Sequence, residues 1–297
     1  MLVFVGLVSV ALAAMAEAAG AESGASPSRT IALHPDNPHY FVFRGKLTVL
    51  IGSGEHYGAV LNLDFDYRRY FAELARCRLN HTRTFSGVYC EPVGAFNIAR
   101  NTLAPGPNRY ITPWARSDQA GYAGGGNRFD LTRWDTEYFA RLKDFMRHAS
   151  RSGVVVELNL FCPFYEDAMW RLSPMNAANN VNGVGSVKRT DVYTLDRNGG
   201  LLPYHEAVVR KIVTELNGFD NLYYEVCNEP YFGGVTMEWQ HRIVDVIIET
   251  ERALPNKHLI SLNIANGAAN VEKPHRGVSI LNFHYAFPPD AVAVNYH

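Results

Sequence analysis

The chain has almost no charge to spare. Its 297 residues carry 28 Lys and Arg against 29 Asp and Glu, a formal net charge of -1. Without a basic surplus there is no electrostatic footprint for nucleic acid and no polybasic segment for a membrane surface. Cysteine is scarce too. Cys77, Cys90, Cys162 and Cys227 include no pair at CxxC spacing, so nothing supports a zinc site. There is no glycine-rich dinucleotide fingerprint, no repeat of fixed period and no charge block. No apolar run reaches the roughly 20 residues of a bilayer-spanning helix. What is present is ordinary globular material, 47% hydrophobic and 19% charged.

Residues 2–15 are almost wholly apolar and run into Ala16-Glu17-Ala18 and Ala19-Gly20-Ala21, both small-x-small patterns. This reads as a signal peptide over residues 1–21, although no Lys or Arg precedes the apolar run, with an uncleaved anchor as the alternative. No cysteine marks a lipoprotein cleavage site. The expectation is a secreted or periplasmic protein, free of the membrane after cleavage, whose fold occupies residues 29–297. Export would permit disulfides. Cys162 and Cys227 lie at or after neighbouring predicted strands; they are either close enough to pair or simply small buried hydrophobes.

Short apolar runs alternate with longer amphipathic ones. Strands are predicted over 47–52, 80–85, 154–161, 222–226, 259–264 and 280–283, with helices over 67–78, 134–152, 206–217 and 239–254. Asp64 or Asp66 is placed to cap the first helix. Strands apolar on both faces and separated by helices imply a parallel sheet covered by helices. Six such strands without a nucleotide fingerprint favour an α/β fold of the (β/α)8 TIM-barrel type over a Rossmann sheet. Residues 31–49, with Arg44-Gly45-Lys46 between apolar stretches, read as an N-terminal β-hairpin able to plug the bottom of the barrel. The long segments 91–128 and 163–202 follow strands and fall on the C-terminal face, where barrels carry their sites.

The strongest motif is Leu222-Tyr223-Tyr224-Glu225-Val226-Cys227-Asn228-Glu229-Pro230, a carboxylate ending a buried strand after an amide and before a proline. It resembles the fourth-strand motif of the retaining (β/α)8-barrel glycoside hydrolases, the clan A type that includes family 5 cellulases and mannanases. The resemblance implies that Glu229 is the general acid/base and that Asn228 hydrogen-bonds the sugar's 2-hydroxyl. A general acid needs its pKa raised by burial or a neighbouring carboxylate.

Other segments match the same group. Asn80-His81-Thr82-Arg83-Thr84-Phe85 resembles its second strand, which implies that Arg83 supports the catalytic carboxylates; the alternative is an interior salt bridge, for instance to Glu225. Asn282-Phe283-His284-Tyr285 resembles the sixth strand, where a His and a Tyr face the site. Many relatives separate those two by one residue, so either His284 or Tyr285 points inward here. Glu55, His56 and Tyr57 leave the top of strand one as candidate substrate contacts, unless Glu55 caps the next segment. Asn159 ends strand three, where many relatives have a nearby His that this chain lacks. Trp114, Tyr122, Trp170 and Tyr231 are loop aromatics, suited either to stacking on sugar rings or to packing.

A retaining enzyme also needs a nucleophilic carboxylate about 5–5.5 Å from the acid/base. The resemblance places it on a seventh strand, and no Glu follows Tyr285. Asp290, Glu55 and Glu157 are not assigned as substitutes. The expectation is therefore a C-terminally incomplete member with about six of the eight βα units, lacking its nucleophile and inactive alone. Its partner would be a carbohydrate substrate, a polysaccharide or oligosaccharide cleaved at O-glycosidic bonds without a cofactor. The alternative is a non-catalytic carbohydrate-binding degenerate barrel. A metal-dependent barrel hydrolase would need His-x-His on strand one, where only Glu55-His56 occurs, so no metal is expected. Oligomeric state is not encoded in any pattern.

Overall fold

A computed structural model of the chain describes residues 30–53, 56–266 and 273–284. The predicted signal peptide, Glu55 and Tyr285 lie outside the described residues. In chain order the elements are β1 (Ala32–Leu33), β2 (Phe41–Phe43), β3 (Lys46–Thr48), β4 (Gly52–Ser53), α1 (Tyr67–Arg76) and β5 (His81–Phe85). There follow β6 (Trp114–Ala120), β7 (Asn127–Trp134), α2 (Thr136–Arg151), β8 (Val155–Phe161), α3 (Asp167–Leu172) and α4 (Leu202–Leu216). β9 (Leu222–Cys227), α5 (Met237–Arg252), β10 (Ile260–Asn266) and β11 (Ile280–His284) complete the series.

β4, β5, β8, β9, β10 and β11 form one six-stranded parallel sheet in that spatial order. Sequential neighbours pair, as in a barrel, and among the described residues β4 and β11 each have a single partner. The fold is thus α/β, an incomplete TIM barrel. β8 and β9 are buried along their whole length, and apart from Glu157, Asn159 and Glu225 their residues are apolar or aromatic. Helix faces repeat every three or four residues to cover the sheet. α2 buries Tyr138, Phe139, Leu142, Phe145, Met146 and Ala149, and α5 buries Trp239, Ile243, Val246 and Ile247 among others. Asp66 caps α1 by accepting from Arg68 N and Arg69 N, and Asp135 caps α2 through Tyr138 N.

The N-terminal hairpin is a three-stranded antiparallel sheet, β1–β2–β3, turning at Arg44 and Gly45, both with positive φ. Ile31 and Phe43 pack on Val155 and Tyr223, residues near the starts of β8 and β9. The hairpin therefore closes the N-terminal mouth of the barrel, as expected. Arg44 clamps it down, donating to both Asp220 carboxylate oxygens and to Ser150.

Two expectations change, and one alternative is decided. The apolar run 47–52 is not one strand: residues 46–48 pair with β2 and only Gly52–Ser53 joins β5. Leu47, Val49 and Ile51 stay exposed beside that edge. The second helix starts at Thr136, because Trp134 ends β7 in a hairpin whose polar strand β6 gave no strand signal. Cys162 and Cys227 are both buried, and all four cysteines are free.

Candidate active site

The site grows out of the sheet's register. Residues paired across parallel strands share a face, so pairing Arg83 with Glu157, and Asn159 with Glu225, brings polar side chains together inside the barrel. Arg83 Nε donates to Glu157 Oε1 at 2.5 Å, and its Nη2 donates to Glu225 Oε1, Asn159 Oδ1 at 3.2 Å and Asn228 Oδ1 at 3.0 Å. Arg83 thus forms the interior ion pair given as the alternative, with Glu157 as well as Glu225, and it also holds Asn228. Tyr223 donates to Glu157 Oε2 at 2.7 Å, and Asn282 Nδ2 donates to Glu225 Oε2 at 2.6 Å. Burial pushes both carboxyls up, but Arg83 and His81 hold Glu157 below its ordinary value, whereas burial and the adjacent Glu157 leave Glu225 raised.

Above this layer the chain leaves β9 at Asn228-Glu229. Glu229 has φ 38° and ψ 53°, a left-handed conformation disfavoured for a side chain of this size. Its backbone N–H is anchored on Asn263 Oδ1 at 2.7 Å, and Asn263 is in turn tied to Asn282 O at 2.9 Å. The turn aims the carboxylate into a cavity of about 810 Å³. There Tyr165 donates to Glu229 Oε2 at 2.6 Å and His284 Nδ1 lies 3.0 Å from Oε1. His284, on the sixth strand of the sheet, therefore reaches the cavity.

The raised pKa expected for Glu229 does not occur here. Burial pushes its carboxyl up, but the hydrogen bonds of His284 and Tyr165, with the charge of Arg83, outweigh burial and hold it below the ordinary glutamate value. Asn228 is also already engaged: its amide donates to Tyr165 Oη at 2.9 Å and faces Cys162 Sγ at 3.8 Å. A sugar hydroxyl would have to compete for it.

His56 lines the same cavity, its ring 4.9 Å from that of Tyr70, with Nδ1 buried and without a hydrogen-bond partner among the described residues. Tyr57 stacks on Phe85 and lies under the Arg83 guanidinium. Of the four aromatics expected in loops, Trp114 lies in β6 and Trp170 in α3; these two and Tyr122 are buried packing residues, and only Tyr231 is exposed. Sequence reasoning missed Tyr165, Asn263 and Glu91. Tyr165 follows strand three directly after Cys162-Pro163-Phe164, which was a positional signal of the C-terminal face. Glu91 lines the cavity beneath hydrogen bonds from Tyr89 and Asn101, and burial raises its pKa. Among the described residues, no group of His, Cys, Asp or Glu is arranged to hold a metal ion.

No family model matches the chain, and no curated protein matches it. Solved structures share its fold. A candidate glycoside hydrolase from Bacteroides vulgatus aligns with TM-score 0.55 at 15% identity, over 82% of this chain and 40% of that one. A β-mannanase from the blue mussel Mytilus edulis aligns with TM-score 0.46 at 10% identity, over 80% and 64%. An endoglucanase from Thermotoga maritima aligns with TM-score 0.45 at 14% identity, over 81% and 60%. The chain shares its fold with the Bacteroides vulgatus structure, and it spans less than two thirds of the length of each of these neighbours.

Proposed function

We propose that the protein hydrolyses O-glycosidic bonds of a polysaccharide or oligosaccharide by a retaining double displacement, with Glu229 as general acid/base. The observation that carries this reading is the carboxylate of Glu229 on a strained turn at a strand's C-terminal end, aimed into a cavity between Tyr165 and His284. Glu229 would protonate the leaving oxygen and then activate the water that releases the glycosyl-enzyme. Arg83 and Asn228 act beneath it as positioning residues. Glu157 and Glu225 are committed to Arg83, and Glu91 to Tyr89 and Asn101. None of them is assigned as nucleophile, which on this reading is a carboxylate outside the described residues. Its negative charge about 5 Å away, together with water exclusion by the bound sugar, would lift the Glu229 pKa into the range of a general acid.

The same proposal makes residues 1–21 an export signal and residues 29–297 a secreted or periplasmic barrel. A second reading, a carbohydrate-binding barrel without catalysis, is favoured by the engagement of both Glu229 carboxylate oxygens, by Tyr165 and by His284. Proton NMR of the full gene product acting on a glycan panel separates the two. Appearance of the product with the substrate's anomeric configuration before mutarotation supports the retaining enzyme. Binding without turnover supports the second reading, and an inverted first product excludes the retaining mechanism.

A further inference from the structure

The cavity is lined by both polar and apolar side chains. Of its polar groups, Asn228, Glu229, His284 and His56 stand at or just beyond the strand ends, whereas Glu91, Arg100, Asn101 and Thr102 line it from the loop after β5. A strip of apolar side chains leads outward from Glu229 on the loop side. Tyr165 touches the Glu229 carboxylate, its ring lies 5.4 Å from that of Phe96 at 88°, and 5.9 Å from that of Phe232. Phe96, Ile98 and Phe232 all line the cavity, yet they are 52%, 51% and 53% exposed. An exposed apolar cluster continuous with a site is the mark of a ligand surface.

The backbone supports the same conclusion. Phe96, Asn97 and Arg100 all have positive φ, near 54°, 57° and 55°. Residues with a Cβ adopt that region rarely, so the segment keeps Phe96 turned outward in a conformation that its local preferences oppose. Two of the loop's polar groups are already engaged: Asn101 is bonded to Glu91, and Thr102 Oγ1 accepts from Gly58 N. A group seated on Phe96, Ile98 and Phe232 would meet apolar surface, with Arg100 as the charged loop residue that also lines the cavity.

We infer that the group across the glycosidic bond is a hydrocarbon, and that the oligosaccharide of the proposed function is O-linked to an alkyl or aryl aglycone in an amphiphilic glycoside. This rests on Glu229 being the acid/base, since that places the scissile oxygen between the polar strand ends and the apolar strip. The sugar would sit over the strand ends, and the aglycone would lie along Tyr165, Phe96 and Phe232.

The test is calorimetric binding to the full chain, with octyl and phenyl β-glycosides below their micelle concentrations, in gluco, galacto and manno configurations. Methyl glycosides and the corresponding disaccharides serve as comparison. One buried methylene is worth about fourfold in affinity, so in at least one configuration the octyl glycoside should bind at least tenfold more tightly than the methyl glycoside. The phenyl glycoside distinguishes an aryl from an alkyl aglycone. Phe96→Asn, which suits the left-handed backbone, combined with Phe232→Ser should erase most of that gain without weakening the methyl glycoside. Disaccharides that bind as well as octyl glycosides, or a gain insensitive to the double variant, would overturn the inference and leave the glycosidase reading intact. Failure of every glycoside to bind would overturn both.

Discussion

Replacing Arg83 with Met deletes the only cation that contacts both Glu157 and Glu225 among the described residues, at a position 7% exposed. The methionine fills most of the volume, so the penalty is mainly electrostatic. Breaking a buried ion pair by removing one partner costs about 3–5 kcal/mol, a large share of the roughly 5–15 kcal/mol that holds a domain folded. The cost should depend on pH in a definite sense. Glu225 is already raised in the native protein, so the new burden falls on Glu157, which Arg83 holds below its ordinary value. Without Arg83, burial would raise Glu157 above its unfolded pKa. A carboxyl raised on folding costs nothing below its unfolded pKa, and the penalty grows as pH rises, by up to about 1.4 kcal/mol per pH unit for one proton. Of the penalty at pH 7, up to about 2.7 kcal/mol should return by pH 5. Urea unfolding of both proteins at pH 5, 6 and 7, followed by tryptophan fluorescence, measures this. A penalty below about 1 kcal/mol, or one that does not shrink with acidification, would refute the reasoning.

Four further variants follow from the geometry. Asn263→Ala leaves the Glu229 N–H without its acceptor, and urea unfolding should show a loss of about 1–3 kcal/mol. Tyr165→Phe removes one of the two hydrogen bonds that depress Glu229, so carbon-13 NMR titration should find the Glu229 carboxyl raised relative to the parent. Because a depressed carboxyl stabilises the fold above its unfolded pKa and loses that contribution as pH falls through the folded value, the variant should also lose stability at neutral pH. At the barrel's bottom, Phe43→Ala should cost about 3–5 kcal/mol by thermal or urea melts. Arg44→Ala, which breaks a largely exposed pair with Asp220, should cost about 1 kcal/mol or less.

Much of the fold was legible because it depends on patterns of local period. β8 and β9 are buried on both faces and read as apolar runs, and α2 and α5 show helical spacing. β6 and β7 were invisible, since Trp114–Ala120 and Asn127–Trp134 are rich in polar and charged residues and owe their pairing to backbone bonds. Strand one was misjudged because apolar residues at 47, 49 and 51 look like a buried strand, although they are exposed. In the site, Asn228, Glu229, Arg83 and His284 were identifiable from a motif and its neighbours. Tyr165 and Asn263 were not, because their roles arise from contacts 64 and 34 residues away from Glu229 in sequence. That omission also inverted the expected pKa of Glu229: burial was foreseeable, whereas the donors that outweigh it were not.

The central claim concerns Glu229, and its most direct test is the kinetics of Glu229→Gln in the full gene product, compared across leaving groups. A general acid matters most when the departing oxygen is a poor leaving group. Activity on unactivated glycosides should fall by about 10²–10⁴-fold, while formation of the glycosyl-enzyme from an activated aryl glycoside should fall far less. Equal losses on both substrates, or full activity in the variant, would contradict the assignment.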